Sequence, residues 1–356
     1  MIDCRSPMKI DTPSGPKPAI RLWIFNHKYK HVADIIDFFV ASVEQEGYSV
    51  TVGKCPCPSS LNVVIEGFDD ESLGTVSDFS GKMRKKVAII MTEHIDFIDG
   101  QLFAYGVPIG VENNYVSTSD VERRVDTLVR CRQHAKCLLG VADGTALIGI
   151  DQLFPGIPLH RIPFPALAPA PVRPALHPWG PGCDFVFTGN RTEHRTIVIN
   201  RLKSNGLQIH QPRRLLSPRR RDGLYRNSKI IVNIPPSEAW QWLSPMRVIS
   251  ALQAGRATVS LGTSDNSEIT KCTLQLQNDP KIWPDILKKC RENWRESYNN
   301  AFKAYAKMVA SYRNRAPFPH GFFERWAIKE GVKPVDTIED RWGKVKERII
   351  RSYMRF

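Results

Sequence analysis

Residues 229–261, KIIVNIPPSEAWQWLSPMRVISALQAGRATVSL, admit few folds. Lys229–Ile234 is a short β-branched run of the kind that a strand buried on both faces requires. Ser244-Pro245 opens a helix, with serine as N-cap and proline at the first helical position. Val248, Ile249, Ala251 and Leu252 recur at helical spacing, Gly255 closes the helix, and Ala257–Leu261 is apolar again. Strand, loop, helix and strand in that order form a βαβ unit, which implies a parallel sheet with a helix N-terminus at its carboxyl edge. Open α/β sheets bind ligands at that edge, and a helix N-terminus favours anions. Arg247 falls in the first turn of the helix, where a cation opposes the dipole. The conflict disappears if its guanidinium faces a phosphate.

The same alternation runs through the rest of the chain. Apolar runs predict strands at Ile20–Asn26, Tyr48–Gly53, Asn62–Glu66, Lys86–Thr92, Cys137–Val141 and His160–Pro163, with helices over Val32–Glu46 and Ser117–His134. Phe164–Gly182, FPALAPAPVRPALHPWGPG, is too rich in proline for a helix or a central strand and reads as an inter-domain linker. A second set follows: strand Cys183–Phe187, helix Glu193–Asn205, strand Leu207–His210, helix Ser217–Asn227, the unit above, and a strand near Cys272–Gln277. Helical patterning then covers Pro280–Arg315, Phe322–Glu330 and Ile338–Phe356. The expected fold class is α/β, with two Rossmann-like, doubly wound parallel-sheet domains facing a cleft and helices at the C-terminus. The expected boundaries are a disordered lead-in at 1–19, a first domain at 20–163, the linker at 164–182, a second domain at 183–320 and terminal helices at 321–356.

With 356 residues the chain can bury two full cores, and 42% hydrophobic with 24% charged residues is ordinary for a globular protein. No apolar run is long enough to span a membrane, and MIDCRSPMKIDTPSGPKP lacks the apolar centre of a secretory signal. The eight cysteines are scattered. Cys55-Pro-Cys57 is the one close pair, and with nothing to complete a zinc site the cysteines read as free thiols in a reducing cytoplasm. The net charge of +14 gathers in Arg213, Arg214, Arg219, Arg220 and Arg221 and in the terminal RWGKVKERIIRSYMRF. Such clusters are solvated faces, or they hold a nucleic acid, an anionic membrane surface or an anionic substrate. In the tail, Trp342, Ile349, Ile350, Tyr353 and Phe356 alternate with Lys and Arg, a pattern that suits anionic lipid or packing on the first domain. The glycine fingerprints of dinucleotide-binding and P-loop proteins are absent, as is the serine elbow of hydrolases.

The opening stretch resembles the nucleotide-sugar-binding segment of GT-B glycosyltransferases, particularly bacterial ones of the spore-maturation type. There a strand ending in Asn is followed by a loop, a helix reading roughly R-x-x-E-A-L-A-x-G, and a strand. Here Asn233, Arg247, Ala251, Leu252, Ala254 and Gly255 stand in that order, with Ser250 where retaining members carry Glu. Cys183–His210 resembles the first strand, loop and helix of the same family's C-terminal domain. Together the two matches cover about a third of the chain. The resemblance implies transfer of a sugar from a nucleotide-diphosphate donor, of UDP or GDP type, to a hydroxyl of a glycan or lipid-linked acceptor, as in bacterial polysaccharide synthesis. The departure from it at Ser250 points to inversion, and the resemblance implies no bound metal and no further cofactor. It also implies a cytoplasmic enzyme able to rest on the inner membrane face, with terminal helices that return to the first domain.

Donor binding is then expected at three elements. Thr188-Gly189-Asn190-Arg191 offers a hydroxyl, a close backbone approach and a bidentate cation. Ser244 and Arg247 mark the helix start, and Asn233 and Glu238 flank the loop before it, Glu238 as an acceptor for ribose or sugar hydroxyls. An inverting transfer needs a general base. Glu93, His27 and His94 are the candidates, with Asp96 behind them, because each follows a first-domain strand at the cleft edge. A second class stays open: a polyanion-binding protein on the same scaffold, holding nucleic acid through its arginines, or a DNA-modifying transferase that combines both.

Overall fold

The computed structural model describes residues 17–25, 27, 29–66, 69–92, 94–104, 106–111, 118–141, 147–173, 176–177, 180–181 and 183–333. Of the expected disordered lead-in at 1–19, residues 1–16 lie outside these, as does the predicted helix Ile338–Phe356; the last three residues are ordered instead, Lys17 being buried and Ala19 opening the first strand.

The first half runs β1 (Ala19–Trp23), α1 (Tyr29–Gln45), β2 (Ser49–Gly53), β3 (Leu61–Ile65), α2 (Asp70–Met83), β4 (Val87–Met91), β5 (Ile95–Ile98), β6 (Gln101–Ala104), β7 (Val107–Pro108), α3 (Thr118–Arg130), β8 (Ala135–Val141), α4 (Ile150–Leu153) and β9 (Leu159–Ile162). Six of these strands form one parallel sheet in the order β2-β1-β3-β4-β8-β9. Every residue of β3 and β4 is buried, as expected of strands covered by helices on both faces. Strands β5, β6 and β7 form a separate antiparallel meander that the sequence reading treats as loop. Its first turn is Asp99-Gly100, both at positive φ (51° and 78°), the backbone that joins two strands without splaying them.

After the short ladder β10 (Leu176–His177) and β11 (Gly180–Pro181), the second half runs β12 (Cys183–Val186), α5 (Glu193–Ser204), β13 (Ile209–His210), α6 (Pro218–Arg226), β14 (Ser228–Asn233), α7 (Pro245–Gln253), β15 (Ala257–Leu261), β16 (Leu274–Leu276), α8 (Trp283–Glu292), α9 (Trp294–Arg315) and α10 (His320–Glu330). Its sheet is also parallel, in the order β13-β12-β14-β15-β16. The fold is therefore α/β with two doubly wound sheets, as the alternation predicts. In each, strand order reverses between the first and third strands, β1 and β3 in one, β12 and β14 in the other. Loops diverge there and leave a crevice at the carboxyl edge.

The two halves share one hydrophobic core, which runs from β1 and α1 through α7 to α9 and α10. Residues 164–173 join them as a pinned strap rather than a free linker. Ala166 exchanges two hydrogen bonds with the Gln45 side chain, at 2.8 and 2.7 Å, and the Tyr305 hydroxyl donates to the Pro165 carbonyl at 2.8 Å. The buried Arg256 guanidinium fastens the strap's far end, donating to carbonyls of Arg173, Arg226, Ser228 and Gly255 while stacking on Trp294 at 4.6 Å. Helix α10 returns to the first sheet: His320 stacks on Tyr48 with ring centroids 5.7 Å apart, and Glu330 accepts the Lys86 backbone N–H at 2.9 Å. No described helix is long and apolar enough to cross a membrane.

Candidate active site

The two switch points open onto one cavity of about 480 Å³. From the first sheet come His27 beyond β1, Glu66 beyond β3 and Thr92 beyond β4. From the second come Asn233 and the Ile234-Pro235-Pro236 turn beyond β14, Arg195 of α5, and Ser244 and Arg247 at the start of α7.

On the second-domain side, Arg247 donates to the Oδ1 of buried Asn233, whose Nδ2 donates to Ser260 Oγ at 3.2 Å. Its guanidinium also lies over the Phe187 ring at 5.5 Å. Two fixed neighbours thus aim this cation across the mouth of α7. Ser244 is the N-cap, and its side chain makes no capping hydrogen bond. Pro245 carries no N–H, and those of Arg247 and Val248 donate to the Ser244 carbonyl at 3.1 and 3.4 Å, so the Met246 N–H is the first-turn donor left to another acceptor.

The Thr188–Arg191 segment contributes differently from the sequence expectation. None of its four residues lines the cavity. The Thr188 hydroxyl is engaged by Tyr225 at 2.7 Å, and Asn190 and Arg191 are exposed. Gly189 serves packing: a Cβ there would sit 2.5 Å from Phe187 Cζ and 3.2 Å from Arg247 Nη2, so the glycine leaves room for the arginine. In place of Arg191, buried Arg195 reaches the cavity, donating to the carbonyls of Ile234 and Asn190, both at 3.0 Å. The signal that singles out Arg247, a cation in a helix's first turn, is present at Arg195 too. Glu238 is exposed, accepts from Asn278 Nδ2 at 2.8 Å and does not line the cavity.

On the first-domain side, His27 is half-buried at the cavity wall. Burial lowers its pKa from 6.5 and outweighs the Ile65 carbonyl, which raises it; the Arg124 charge adds to the lowering, and the Glu66 carbonyl and Asp69 oppose it. The imidazole is therefore neutral near pH 7 and able to accept a proton. Glu93 lies outside the described residues. His94 is buried between rings of the other domain, stacked on Trp242 at 4.6 Å and edge-on to Trp240 at 5.2 Å. Gly106 of the meander admits the tip of the Trp242 ring, and Asp265 accepts the Leu243 N–H at 3.1 Å. The 240–243 loop thus bridges the two halves at the back of the cavity. Asp96 points elsewhere: its carboxylate accepts the Ile148 N–H at 2.7 Å, and burial raises its pKa.

The sequence reading passes over Glu66. It is buried at the first switch point and accepts the Thr92 hydroxyl at 2.9 Å. Its position at the end of a predicted strand hid it, because the final residue of a strand is indistinguishable by pattern from the first of the functional loop. Among the described residues no group of three or more His, Cys, Asp or Glu side chains could hold a metal ion.

No family model matches the chain, and no curated protein matches it. Distant likenesses exist among solved structures. A structure of Anabaena HepE in complex with UDP superposes with a TM-score of 0.43 at 9% identity, covering 88% of this chain and 100% of that one. Sucrose-phosphate synthase from Thermosynechococcus elongatus gives 0.48 at 10% identity, covering 85% and 80%. A UDP-forming trehalose-phosphate synthase from Burkholderia xenovorans gives 0.45 at 10%, covering 84% and 78%. Likenesses this distant identify neither family nor substrate, and the two-sheet architecture rests on the chain's own strand order.

Proposed function

We propose that the chain is an inverting glycosyltransferase that moves a sugar from a UDP- or GDP-type donor to a hydroxyl of a saccharide or lipid-linked acceptor. One observation carries the reading: a single cavity joins a helix N-terminus and an aimed arginine on one sheet to a neutral histidine on the other. The donor diphosphate sits at the start of α7, where the helix dipole, the Met246 N–H and the Arg247 guanidinium stabilise the negative charge that grows as the sugar–phosphate bond breaks. Arg195 holds the Ile234 and Asn190 loops that shape this pocket. His27 takes the proton of the acceptor hydroxyl as its oxygen attacks the anomeric carbon from the opposite face.

The test separates binding from chemistry. UDP or GDP is expected to raise the melting temperature of the wild-type protein. His27→Ala should keep that shift while losing on the order of 10²–10⁴-fold in kcat. Because the base acts in its neutral form and burial lowers its pKa, kcat/KM should hold as pH drops to 6.5 and fall only below it. A fully active His27→Ala removes the base assignment, and a protein that no nucleoside diphosphate stabilises removes the enzyme.

A further inference from the structure

The arginine cluster of the second domain remains outside the cavity just described, and its placement is informative. Strand β13 is the edge strand of the second sheet, so the loop after it, residues 211–217, leaves from the same carboxyl edge as the cavity loops. Arg213 and Arg214 are exposed on this loop, and Arg219 and Arg220 are exposed on the first turn of α6. Arg221, next in line, turns inward. It is only 14% exposed, pairs with Asp222 at 2.9 Å and reaches across to Asp34 of α1, a cavity-lining residue. The exposed arginines therefore flank the cavity mouth at the contact between the two halves.

Their local chemistry is unfavourable. Three arginines in the first turn of α6 oppose its dipole, and Ser217 supplies no side-chain cap. Elsewhere on the surface cations meet carboxylates: Arg123 with Asp120, Arg130 with Asp70, Lys271 with Glu268, Lys229 with Asp184. Arg213, Arg214 and Arg220 meet none among the described residues. A segment that breaks several local rules at once, beside a functional cleft, marks a place where something else supplies the compensation. Here that compensation is negative charge.

Taking the transferase reading as its basis, we infer that the acceptor is an acidic saccharide, one carrying repeated carboxylate, sulfate or phosphate groups, whose chain lies along Arg213, Arg214, Arg219 and Arg220 while its reacting hydroxyl enters the cavity. Geometry sets the division: the cavity holds donor and reacting sugar, so the rest of the acceptor must leave by the mouth, over the arginines. A single-stranded nucleic acid fits the surface less well, since QPRRLLSPRRR contains no aromatic ring on which a base could stack. Arginine forks suit carboxylate, sulfate and phosphate alike.

The probe is a heparin hexasaccharide, with maltohexaose as the uncharged counterpart, a 20-base-pair DNA duplex and phosphatidylglycerol vesicles as rivals, and UDP and GDP as donor controls. Wild-type protein should bind the hexasaccharide with an affinity that falls as salt rises. Binding should drop roughly tenfold or more in the Arg213→Glu, Arg214→Glu, Arg220→Glu triple variant. These three side chains are exposed and make no ion pair among the described residues, so the thermal shift with UDP or GDP should not change. Equal binding by the triple variant, or binding of maltohexaose as tight as that of the hexasaccharide, overturns the inference. So does tighter retention of DNA or vesicles at matched salt. Loss of the UDP and GDP shift in wild type with hexasaccharide binding intact removes the transferase reading alone.

Discussion

Arg191 and Arg195 stand four residues apart and were distinguishable only by where the helix begins. Thr192 caps α5, accepting the Arg195 N–H at 3.3 Å and donating to the Pro236 carbonyl at 2.7 Å, so Arg191 precedes the helix and Arg195 is inside its first turn. The inner arginine faces Phe187 at 5.3 Å and two loop carbonyls, whereas the outer one is solvated. Arg195→Ala should leave both carbonyls without their donor, lower stability by about 1–3 kcal/mol and weaken UDP or GDP binding about tenfold. Arg191→Ala should change donor affinity by less than about twofold, because exposed cations are screened. Urea unfolding and nucleotide titration of the two variants check this pair. At this scale the sequence was partly readable. Arg247 and Asn233 stood out by position and do meet in the structure, while Glu238 and Arg191 carried the right chemistry on side chains that point to solvent. Residue type is visible in a sequence, but direction depends on packing against Phe187 and Gly189, which lie on another turn of the chain.

Helix ends tell a similar story among the elements. Asp69 caps α2 through the Ser72 N–H at 2.8 Å, whereas Ser244 occupies the cap position of α7 without using its hydroxyl. Asp69→Ala should therefore cost about 1 kcal/mol and leave nucleotide binding intact. Ser244→Ala should cost less than about 0.5 kcal/mol in stability but weaken nucleotide binding, since its side chain lines the cavity instead of serving the helix. Chemical denaturation read beside nucleotide affinity separates the two. Parallel strands were easy to place because five-residue buried runs such as VAIIM have no other use. Helix α2 was missed: its buried face is only Ser72, Leu73, Val76 and Phe79, set among serines and glycines that favour loops. The meander was missed for the opposite reason. Its Asp-Gly turn and flanking IDFI and QLFA runs are legible, but Glu93 and His94 just before it and Asp96 within its first strand read equally as a catalytic loop.

Across the whole molecule, burial lowers the pKa of His27, His134, His160 and His194; it outweighs the Ile65 carbonyl at His27 and the Glu238 charge at His194, and nearby Arg or Lys charges add to it at all four. The unfolded chain therefore takes up more protons than the folded one as pH falls through 6.5 and below. Stability is fully present above that value and is lost on acidification. Melting temperatures should hold from pH 7.5 to about 6.5 and decline from there to pH 5, and a flat profile would contradict the burial of these rings. Because one core runs through both halves and the strap is pinned along α9, that melting should be a single transition.

The contact of Trp242 and Trp240 with His94 gives the protein a native optical gauge. Indole emission depends on how wet the ring is and on what lies against it, and these two rings are held by a partner from the opposite half. Any parting of the sheets must lift them off the imidazole and into water. Swinging apart would redden the protein's own glow, and a donor that draws the halves together would turn it back toward the blue.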